Sequence, residues 1–499
     1  MNKSAGFDTD KYLRKQVEIL MNRVSKFERL YLEFGGKLFS DTHAKRVLPG
    51  YRPAAKMELL KKLGRIEIFY CVSSIDLSRG KIRGDSGLSY DLQTLKDIED
   101  IESYGMNVSG VIITLYKGQS AADQLKDKLE NMGFKAYFQY EIEGYPHDLD
   151  KVLEGYKKQP YIPTNEKLVV VTGAGGGSGK MAFCLSQIYS EYSKKIKSGF
   201  AKFETFPIWN LAPDHLINIA YEASTADLGD YNKTDLLHRK YYGIEATNYN
   251  RDIENFNILQ NILKKITGEE NPFNYKSPTD MGVNMAGYGI VNENTCIEAS
   301  REEIIRRYFT YHTQRAEGRQ SKNTIERIEE IMKKAGLTPE QRSVVVPARV
   351  TAREGEEKGK GFKGIYCGSA IKLADGMIIT GKNSPIFHSE SSCILNALKY
   401  LAGIPDEIHL INPEILKQVS NMKAMMLDHN SPSLSVSEML IVLASSANNN
   451  GEANKAINMI GELRDCEMHS SVILSSKDLS GLRDLGINIT SDPVFVRNQ

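Results

Sequence analysis

Residues 168–180 read Leu-Val-Val-Val-Thr-Gly-Ala-Gly-Gly-Gly-Ser-Gly-Lys. The apolar start of this stretch is typical of a buried strand, and residues 181–195 continue with a helical pattern. Five glycines lie between them within seven residues. Glycine tolerates positive φ and close approach, so several backbone N–H groups can point at one anion beside a helix N-terminus. We therefore predict a strand, a phosphate-type loop and a helix, and with them an enzyme that binds a phosphorylated small molecule or a nucleotide.

The predicted loop supplies the candidate cofactor-binding residues, which are Gly173, Gly175, Gly176, Gly177, Ser178, Gly179 and Lys180. They match no nucleotide fingerprint completely. In the pattern G-x-x-x-x-G-K-[ST], Ala174 replaces the first glycine and Met181 replaces the hydroxyl residue that holds Mg²⁺. In the dinucleotide pattern G-x-G-x-x-G started at Gly173, Ser178 replaces the third glycine. Short-chain dehydrogenases also need Tyr-x-x-x-Lys, and none of the 25 tyrosines has Lys four residues later. A phosphate or nucleotide ligand, a nicotinamide cofactor and a turn that serves packing alone remain open.

Composition narrows the class of protein. The chain has 499 residues, which is too long for one hydrophobic core, and its 64 basic and 63 acidic residues nearly balance. This balance argues against a nucleic-acid binder or a membrane-surface binder, because both usually carry a basic excess. The amino terminus lacks an apolar signal core, and no apolar run approaches the ~20 residues of a membrane span. The six scattered cysteines are typical of reduced core thiols, so we expect a cytoplasmic protein.

The chain is predicted to divide into three parts, residues 1–200, 201–342 and 343–499. The first alternates strands with helices of ten to fifteen residues, which predicts an α/β domain with a mainly parallel, Rossmann-like sheet. Ligands of such sheets bind at the carboxyl ends of the strands. A turn of Gly35, Gly36 and Lys37 and the loop of residues 173–180 both follow predicted strands, and they would face one crevice if those strands are neighbours.

The second part is predicted to be mainly helical, with one strand at Phe203–Trp209 and with long loops rich in Asp and Asn. Such residues usually cap helices and make turns. The loop of residues 276–287 is long and irregular, and loops of that kind on a rigid scaffold often carry function. We therefore take Lys276 and Asn284 as candidate substrate-binding residues and Asp280 as a candidate catalytic residue, with a divalent ion as an alternative occupant of this loop.

The third part is predicted to be a second α/β domain, with strands that include Ser343–Ala352, Met377–Thr380 and Glu407–Ile411. The loop Thr380-Gly-Lys-Asn-Ser-Pro385 precedes a predicted helix. It is a second, weaker candidate anion site, and it adds Lys382 and Ser384 to the candidate substrate-binding residues.

His215 and His388 are the candidate proton-transfer residues, because they lie closest to the loops that look functional. The zinc-protease motif His-Glu-x-x-His is absent. His388-Ser-Glu390 mimics the His-x-Glu of zinc deaminases, but no Pro-Cys-x-x-Cys follows it. Two alternatives to a phosphate-binding enzyme stay open: a metal-dependent hydrolase whose Asp-rich middle loops hold the ion, and a non-catalytic nucleotide sensor or assembly protein. A divalent cation and a homo-oligomer are compatible with the sequence, which identifies neither the cofactor nor the metal.

Several strings of the chain together resemble a known family. They lie at residues 172–187, 202–211, 220–228, 275–284 and 380–385. Over nearly its full length the chain resembles the bacterial uncharacterised protein family 0371, also called domain of unknown function 1846. The resemblance implies a cytosolic bacterial protein with an α/β amino-terminal part, a helical middle and an α/β carboxyl-terminal part, and it implies no reaction.

Overall fold

The computed structural model describes residues 5–36, 38–39, 41–82, 87–269, 273–425 and 433–496. Lys37, which belongs to a predicted glycine turn, lies outside these residues. The chain forms two compact units, residues 4–300 and residues 301–499, which we call the amino-terminal and carboxyl-terminal units. None of the described helices is long and apolar enough to cross a membrane.

The amino-terminal unit is built on a sheet of seven parallel strands, and a two-stranded ribbon of β7 and β8 accompanies it. The sheet order is β4-β3-β2-β5-β1-β6-β9. The strands are Arg29–Phe34 (β1), Ile66–Ser73 (β2), Val108–Tyr116 (β3), Ala136–Tyr140 (β4), Leu168–Gly173 (β5), Ser198–Phe203 (β6), Asn232–Thr234 (β7), Thr247–Tyr249 (β8) and Gly282–Val283 (β9). The predicted parallel sheet is confirmed, because local apolar runs separated by helical patterns specify strands that helices must connect.

Helices cover both faces of this sheet. The helices of this unit are Thr9–Ser25 (α1), Thr42–Val47 (α2), Ala55–Lys62 (α3), Ser74–Ser78 (α4), Tyr90–Ser103 (α5), Ser120–Asn131 (α6), Leu149–Lys157 (α7), Lys180–Ser193 (α8), Leu216–Ser224 (α9), Leu236–Tyr242 (α10), Asn250–Thr267 (α11) and Pro278–Met281 (α12). The unit boundary falls within the next helix, Glu293–Ala316 (α13). On β2, Tyr70 and Val72 pack into the cluster that contains Ile98 of α5 and Leu125 of α6. Neighbouring Phe69 contacts Phe183 of α8 instead. Since alternate residues of a strand face opposite sides, α8 lies on the face opposite to α5 and α6.

The prediction of a strand at Phe203–Trp209 is wrong for most of its length. Strand β6 runs from Ser198 and ends at Phe203. Beyond it, the N–H of Ile208 donates to Oδ1 of Asn218 on α9, at 2.7 Å. A helix side chain thus takes the backbone group that a strand neighbour would have paired.

The carboxyl-terminal unit contains a four-stranded sheet of order β11-β10-β12-β13, in which only β12 and β13 are parallel. Its further helices are Lys322–Lys334 (α14), Val345–Glu357 (α15), Ser389–Ala402 (α16), Pro413–Met425 (α17), Val436–Ala447 (α18), Gly451–Asn458 (α19) and Ser476–Asp484 (α20). Its strands are Gly368–Lys372 (β10), Ile378–Lys382 (β11), Glu467–Ser470 (β12) and Asn488–Ser491 (β13). A core cluster joins α16, α18, α19 and α20 to β10 and β12, so the predicted second α/β part is confirmed.

Two predicted strands of this unit are wrong. Ser343–Ala352 suggested a strand because of its valines, but α15 begins at Val345. Pro347 falls in its first turn, where a missing N–H costs nothing, and Val344 and Ala348 pack together against Ala370 of the sheet. Residues 407–411 form turns and bends rather than a strand. Tertiary packing overrode the β-preference of valine in the first case.

Candidate functional site

The candidate site of the amino-terminal unit lies at the carboxyl ends of β2, β5 and β1. These strands are neighbours, with Ile66 and Leu30 both opposite Leu168. The chain leaves β2 for α4 and α5 on one face of the sheet, whereas it leaves β5 for α8 on the other. Connections that diverge from adjacent strands open a crevice at the carboxyl edge, the usual ligand position in such sheets. The strands before residues 35 and 173 are thus neighbours, which is the condition that the sequence left open for the two glycine turns to face one crevice.

The loop between β5 and α8 contains a run of backbone N–H groups that have no well-aligned acceptor within the described residues. From Gly175 to Ala182, no N–H group makes a well-formed hydrogen bond within the described residues. Helix α8 has no side-chain cap and no acidic residue in its first turn. Gly176 and Gly177 are exposed, so solvent and ligands reach these groups. The first turn of any helix leaves such donors open, and here the preceding loop extends the open run.

Tight contacts hold the loop in this shape. Gly179 has φ 77°, and a Cβ there would lie 2.7 Å from Cβ of Thr114. The Thr114 hydroxyl in turn donates to the carbonyl of Ser178, at 2.9 Å. A Cβ on Gly175 would lie 2.9 Å from the Tyr90 hydroxyl. Glycine is required at 179, where φ is positive and Thr114 lies close, whereas a side chain at 175 would have to displace the Tyr90 hydroxyl.

Lys180 folds back over the loop. Its Nζ donates to the carbonyl of Gly175 at 3.2 Å and to Oγ of Ser178 at 3.3 Å. Ser178 is 1% exposed. The ammonium group thus adds a positive charge to the open N–H groups, and an anion bound there would gain charge-assisted hydrogen bonds.

Two glycines, Gly173 and Gly35, lie side by side between the loop and the end of β6, and we call them the glycine row. In the strand register, Glu33 of β1 lies opposite Val171 of β5 and Lys202 of β6. Two residues further on, the same face carries Gly173, Gly35 and Glu204. A Cβ on Gly35 would lie 3.9 Å from Cγ of Glu204. Since strands are spaced by about 4.8 Å, the end of β6 lies about 10 Å from the glycine loop, within the length of a small phosphorylated molecule.

A buried charge cluster occupies that end of β6. Nζ of Lys202 contacts Oδ2 of Asp252 at 2.5 Å and Oε1 of Glu204 at 3.0 Å, and it also contacts the hydroxyl of Tyr249. Burial lowers the pKa of Lys202, but the two carboxylates outweigh it and raise that pKa well above its ordinary value. Burial raises the pKa of Glu204 to about 7, aided by Asp252 and opposed by Lys202. A carboxyl group with this pKa can hold or release a proton near neutral pH.

Glu33 lies between the loop and this cluster. It is 8% exposed, and its Oε2 has no hydrogen-bond partner within the described residues. Burial raises the pKa of the Cys71 thiol, and Lys180 opposes this rise while Glu33 adds to it. Both charges therefore lie close to the same thiol, and Glu33 could accept a hydrogen bond from a ligand.

The predicted residues of the middle part have other positions. Asp280 accepts from the Tyr242 hydroxyl at 2.9 Å and from the N–H of Lys276 at 3.1 Å. Asn284 is buried and donates to the carbonyl of Pro207 at 2.7 Å. His215 caps α9 and contacts Glu293 at 3.0 Å. Within the described residues, no hydrogen bond joins any of these side chains to the glycine loop.

In the carboxyl-terminal unit, His388 lies at the N-cap of α16, and its Nδ1 contacts Oδ2 of Asp478 at 2.7 Å. Burial lowers the pKa of His388, but the hydrogen bond and charge of Asp478, together with the charge of Glu390, outweigh it and raise that pKa. Lys382 ends β11 and is half-buried. Oγ of Ser384 accepts from the N–H groups of Ile386 and Phe387, so this side chain stabilises a turn.

Comparison with known proteins identifies the family. The model described as domain of unknown function DUF1846, N-terminal, matches residues 5–336, and the C-terminal model of the same name matches residues 340–499. The chain belongs to this family. Proteins named UPF0371 protein from Clostridium tetani and from Clostridium botulinum strain Langeland are each 46% identical to it, over 493 and 495 residues and 98% of each chain. A third, from Clostridium botulinum strain Alaska E43, is 45% identical over 494 residues and 98% of each chain.

The two DUF1846 models divide the chain differently from its packing. The models meet between Gly336 and Glu340, whereas the compact units meet at Ser300 and Arg301. Helix α14 thus belongs to the N-terminal model of the family but packs within the carboxyl-terminal unit.

Sequence reasoning missed Glu33, Lys202, Glu204, Tyr249 and Asp252. One signal was present, because Glu33 interrupts an apolar strand and Lys202 and Glu204 are spaced so that they share one face of a strand. Charged residues in a buried strand are rare unless they are paired. The partners Tyr249 and Asp252 carried no such signal, since their loop read as ordinary helix capping.

Proposed function

We propose that this protein is an enzyme that binds a phosphorylated small molecule or a nucleotide through the loop of residues 173–180. The open run of N–H groups from Gly175 to Ala182 carries the proposal. Backbone donors at a helix N-terminus favour an anion because the helix dipole and the hydrogen bonds act together. The ammonium group of Lys180 supplies a full positive charge beside them.

The part of the ligand beyond the phosphate would extend along the glycine row toward β6. Glu33 would accept a hydrogen bond from a hydroxyl or amino group of the ligand. Glu204 would exchange a proton with it, because a carboxyl with a pKa of about 7 changes its charge readily near neutral pH. Lys202 and Asp252 would hold Glu204 in place.

The Asp-rich middle loops give less support to a metal-dependent hydrolase. Asp230 pairs with Arg251 at 2.6 Å, Asp252 pairs with Lys202, and Asp280 accepts two hydrogen bonds. Asp230 and Asp252 each already neutralise a protein cation, which a metal ion would have to displace. A nucleotide sensor would use the same loop, and turnover separates it from an enzyme.

Lys180→Met tests the proposal, because methionine keeps the length of the side chain and removes its charge. Inorganic phosphate, ATP and sugar phosphates would be titrated into both proteins by calorimetry. We expect the variant to bind the best ligand at least ~10-fold more weakly, since a charge-assisted hydrogen bond contributes roughly 1.5–3 kcal/mol. Its thermal unfolding should be nearly unchanged.

Lys128→Met is the matched control, since Lys128 is an exposed residue of α6. It should bind as the wild type does. If none of these anions binds the wild-type protein, or if Lys180→Met binds the best one unchanged, the proposal is wrong. Binding without any chemical change of the bound compound would favour the sensor.

A further inference from the structure

A second constellation lies in the carboxyl-terminal unit, in residues that the proposed function does not use. His388 and Glu390 begin α16, and Asp478 lies in the first turn of α20. Ligand-type atoms of these three side chains all lie within 4.8 Å of one another. They are separated by up to 90 residues in sequence, so only the fold brings them together.

Glu390 is the central observation. It is 4% exposed, and its Oε1 accepts three hydroxyl donors, from Ser369 at 3.0 Å, Ser389 at 2.9 Å and Ser470 at 2.6 Å. Within the described residues no donor reaches Oε2. A carboxylate buried to this degree needs compensation for its charge. Three serine hydroxyls thus orient Oε1 of Glu390, and Oε2 is open to a ligand from outside the chain.

His388 is oriented in the same manner. Its Nδ1 contacts Asp478, which is itself held by the Ser475 hydroxyl at 2.5 Å and the N–H of Val436 at 2.8 Å. Nδ1 of His388 and Oδ2 of Asp478 share a proton in this hydrogen bond, and a metal ion bound to both atoms would displace that proton. The N-termini of α16, α18 and α20 meet here, and their dipoles favour negatively charged carboxylates.

We infer that His388, Glu390 and Asp478 form a binding site for one divalent transition-metal ion, with Zn²⁺ or Mn²⁺ as its class. An imidazole together with carboxylate oxygens suits these ions better than Mg²⁺ or Ca²⁺, which prefer oxygen alone. Three protein ligands leave coordination positions open to water or substrate.

Neighbouring groups do not compete for this site. The nearby ammonium of Lys423 is paired with Glu438 at 2.8 Å and with the carbonyl of Ser433 at 2.5 Å. Burial raises the pKa of the Cys367 thiol to about 12, and Cys393 donates its thiol to the carbonyl of Ile379. Among the described residues, no cysteine sulfur belongs to this group of ligand-type atoms, so the donor set is nitrogen and oxygen.

The test uses full-length protein freed of metal by chelation, titrated with Zn²⁺, Mn²⁺ and Mg²⁺ by calorimetry. We expect about one tightly bound Zn²⁺ or Mn²⁺ per chain and much weaker Mg²⁺. His388→Ala and Glu390→Gln should each weaken binding at least ~100-fold, since loss of outer-shell support alone weakens binding about 10–100-fold. His409→Ala, at an exposed histidine of the same unit, should bind as the wild type does.

Electron paramagnetic resonance of the Mn²⁺ complex needs only the wild-type protein, so it tests the site even if the variants fold poorly. Coupling from one ¹⁴N nucleus is expected and would identify an imidazole ligand. Absence of Zn²⁺ and Mn²⁺ binding to the wild type, absence of that nitrogen coupling, or binding that folded His388→Ala and Glu390→Gln leave unchanged would each overturn the inference.

Discussion

The two candidate sites use helix N-termini in opposite ways. At α8, no side chain caps the helix, no acid lies in the first turn, and the backbone donors stay open beside Lys180. In the carboxyl-terminal unit, Asp478 and Glu438 accept from the N–H groups of Val436 and Ser435 at the start of α18, and Glu390 lies in the first turn of α16. A helix N-terminus favours negative charge in both cases. A helix N-terminus that already has a carboxylate beside it suits a cation. A helix N-terminus without a carboxylate suits an anion.

The largest effect on phosphate affinity is expected from placing an acidic residue in the first turn of α8. Met181→Glu places a carboxylate in the first turn, where it would bind the open donors and repel an incoming phosphate. One unit charge at about 4 Å, at an effective dielectric constant near 20, changes the binding free energy by about 4 kcal/mol, or roughly 1000-fold in affinity. Calorimetry with the best phosphate ligand measures the loss.

Met181→Gln is the control for that change, because it has the same shape without the charge. It should keep phosphate affinity within about tenfold of the wild type. Equal binding by the Glu and Gln variants would show that the first turn of α8 takes no part in ligand binding.

The second effect concerns how the carboxyl-terminal unit stabilises its partly buried carboxylates. Arg342 is fully buried and pairs with Glu467 at 2.6 Å and Glu302 at 2.9 Å. Arg342→Met should lower the free energy of unfolding by about 3 kcal/mol, because it removes the buried guanidinium that pairs with both carboxylates and leaves Glu467 with Arg306 alone. Arg349→Met, at a more exposed arginine that pairs with Asp492, should cost about 1 kcal/mol. Urea titrations followed by circular dichroism compare them, and equal losses would contradict the expectation.

A third effect is the pH dependence of stability, which should have opposite signs in the two units. Burial raises the pKa of Glu467, but Arg306 and Arg342 outweigh it and lower that pKa to about 2. Its contribution of about 3 kcal/mol is therefore present above the ordinary value of 4.5 and is lost as pH falls from there toward 2. Glu204 has a raised pKa, so the folded state binds its proton more tightly, and stability falls as pH rises from 4.5 to about 7.

The single tryptophan, Trp209, separates the two trends, because its fluorescence reports unfolding of the amino-terminal unit and circular dichroism reports both units. Glu204→Gln should flatten the fluorescence trend between pH 4.5 and about 7. Glu467→Gln should weaken the acid loss seen by circular dichroism. A fluorescence midpoint that rises with pH across that window would contradict the environment described for Glu204.

The smallest effect tests the backbone of the loop. Gly177 has φ 77° and open space around its missing side chain, so Gly177→Ala should cost about 1 kcal/mol through backbone strain alone. Gly176 has an ordinary φ, and its nearest contact would be Leu228 at 3.8 Å, so Gly176→Ala should cost less than about 0.5 kcal/mol. Thermal unfolding measures both, and a larger loss for Gly176 would mean that the loop has another shape.

The sequence predicted the elements of the amino-terminal unit well and the sites only in part. The strand before the glycine loop and the helix after it were predicted and are observed as β5 and α8, because an apolar run that ends in glycines specifies a strand locally. Ser343–Ala352 was mispredicted, since the same valines can pack on the face of a helix. For the glycine loop the sequence showed which residues are present, but not that their N–H groups lack acceptors.

The sequence by itself determined the chain's α/β class, the glycine loop and the charge of Lys180, because these depend on local residue order. Only the tertiary structure placed β1 beside β5, set Lys202 against Asp252, and joined His388 to Asp478. The physical reason is that strand order and side-chain contacts follow from burying one shared core. Several spatial arrangements of the same helices and strands can bury a shared core. Which distant charges pair is therefore known only from the arrangement that the folded chain adopts.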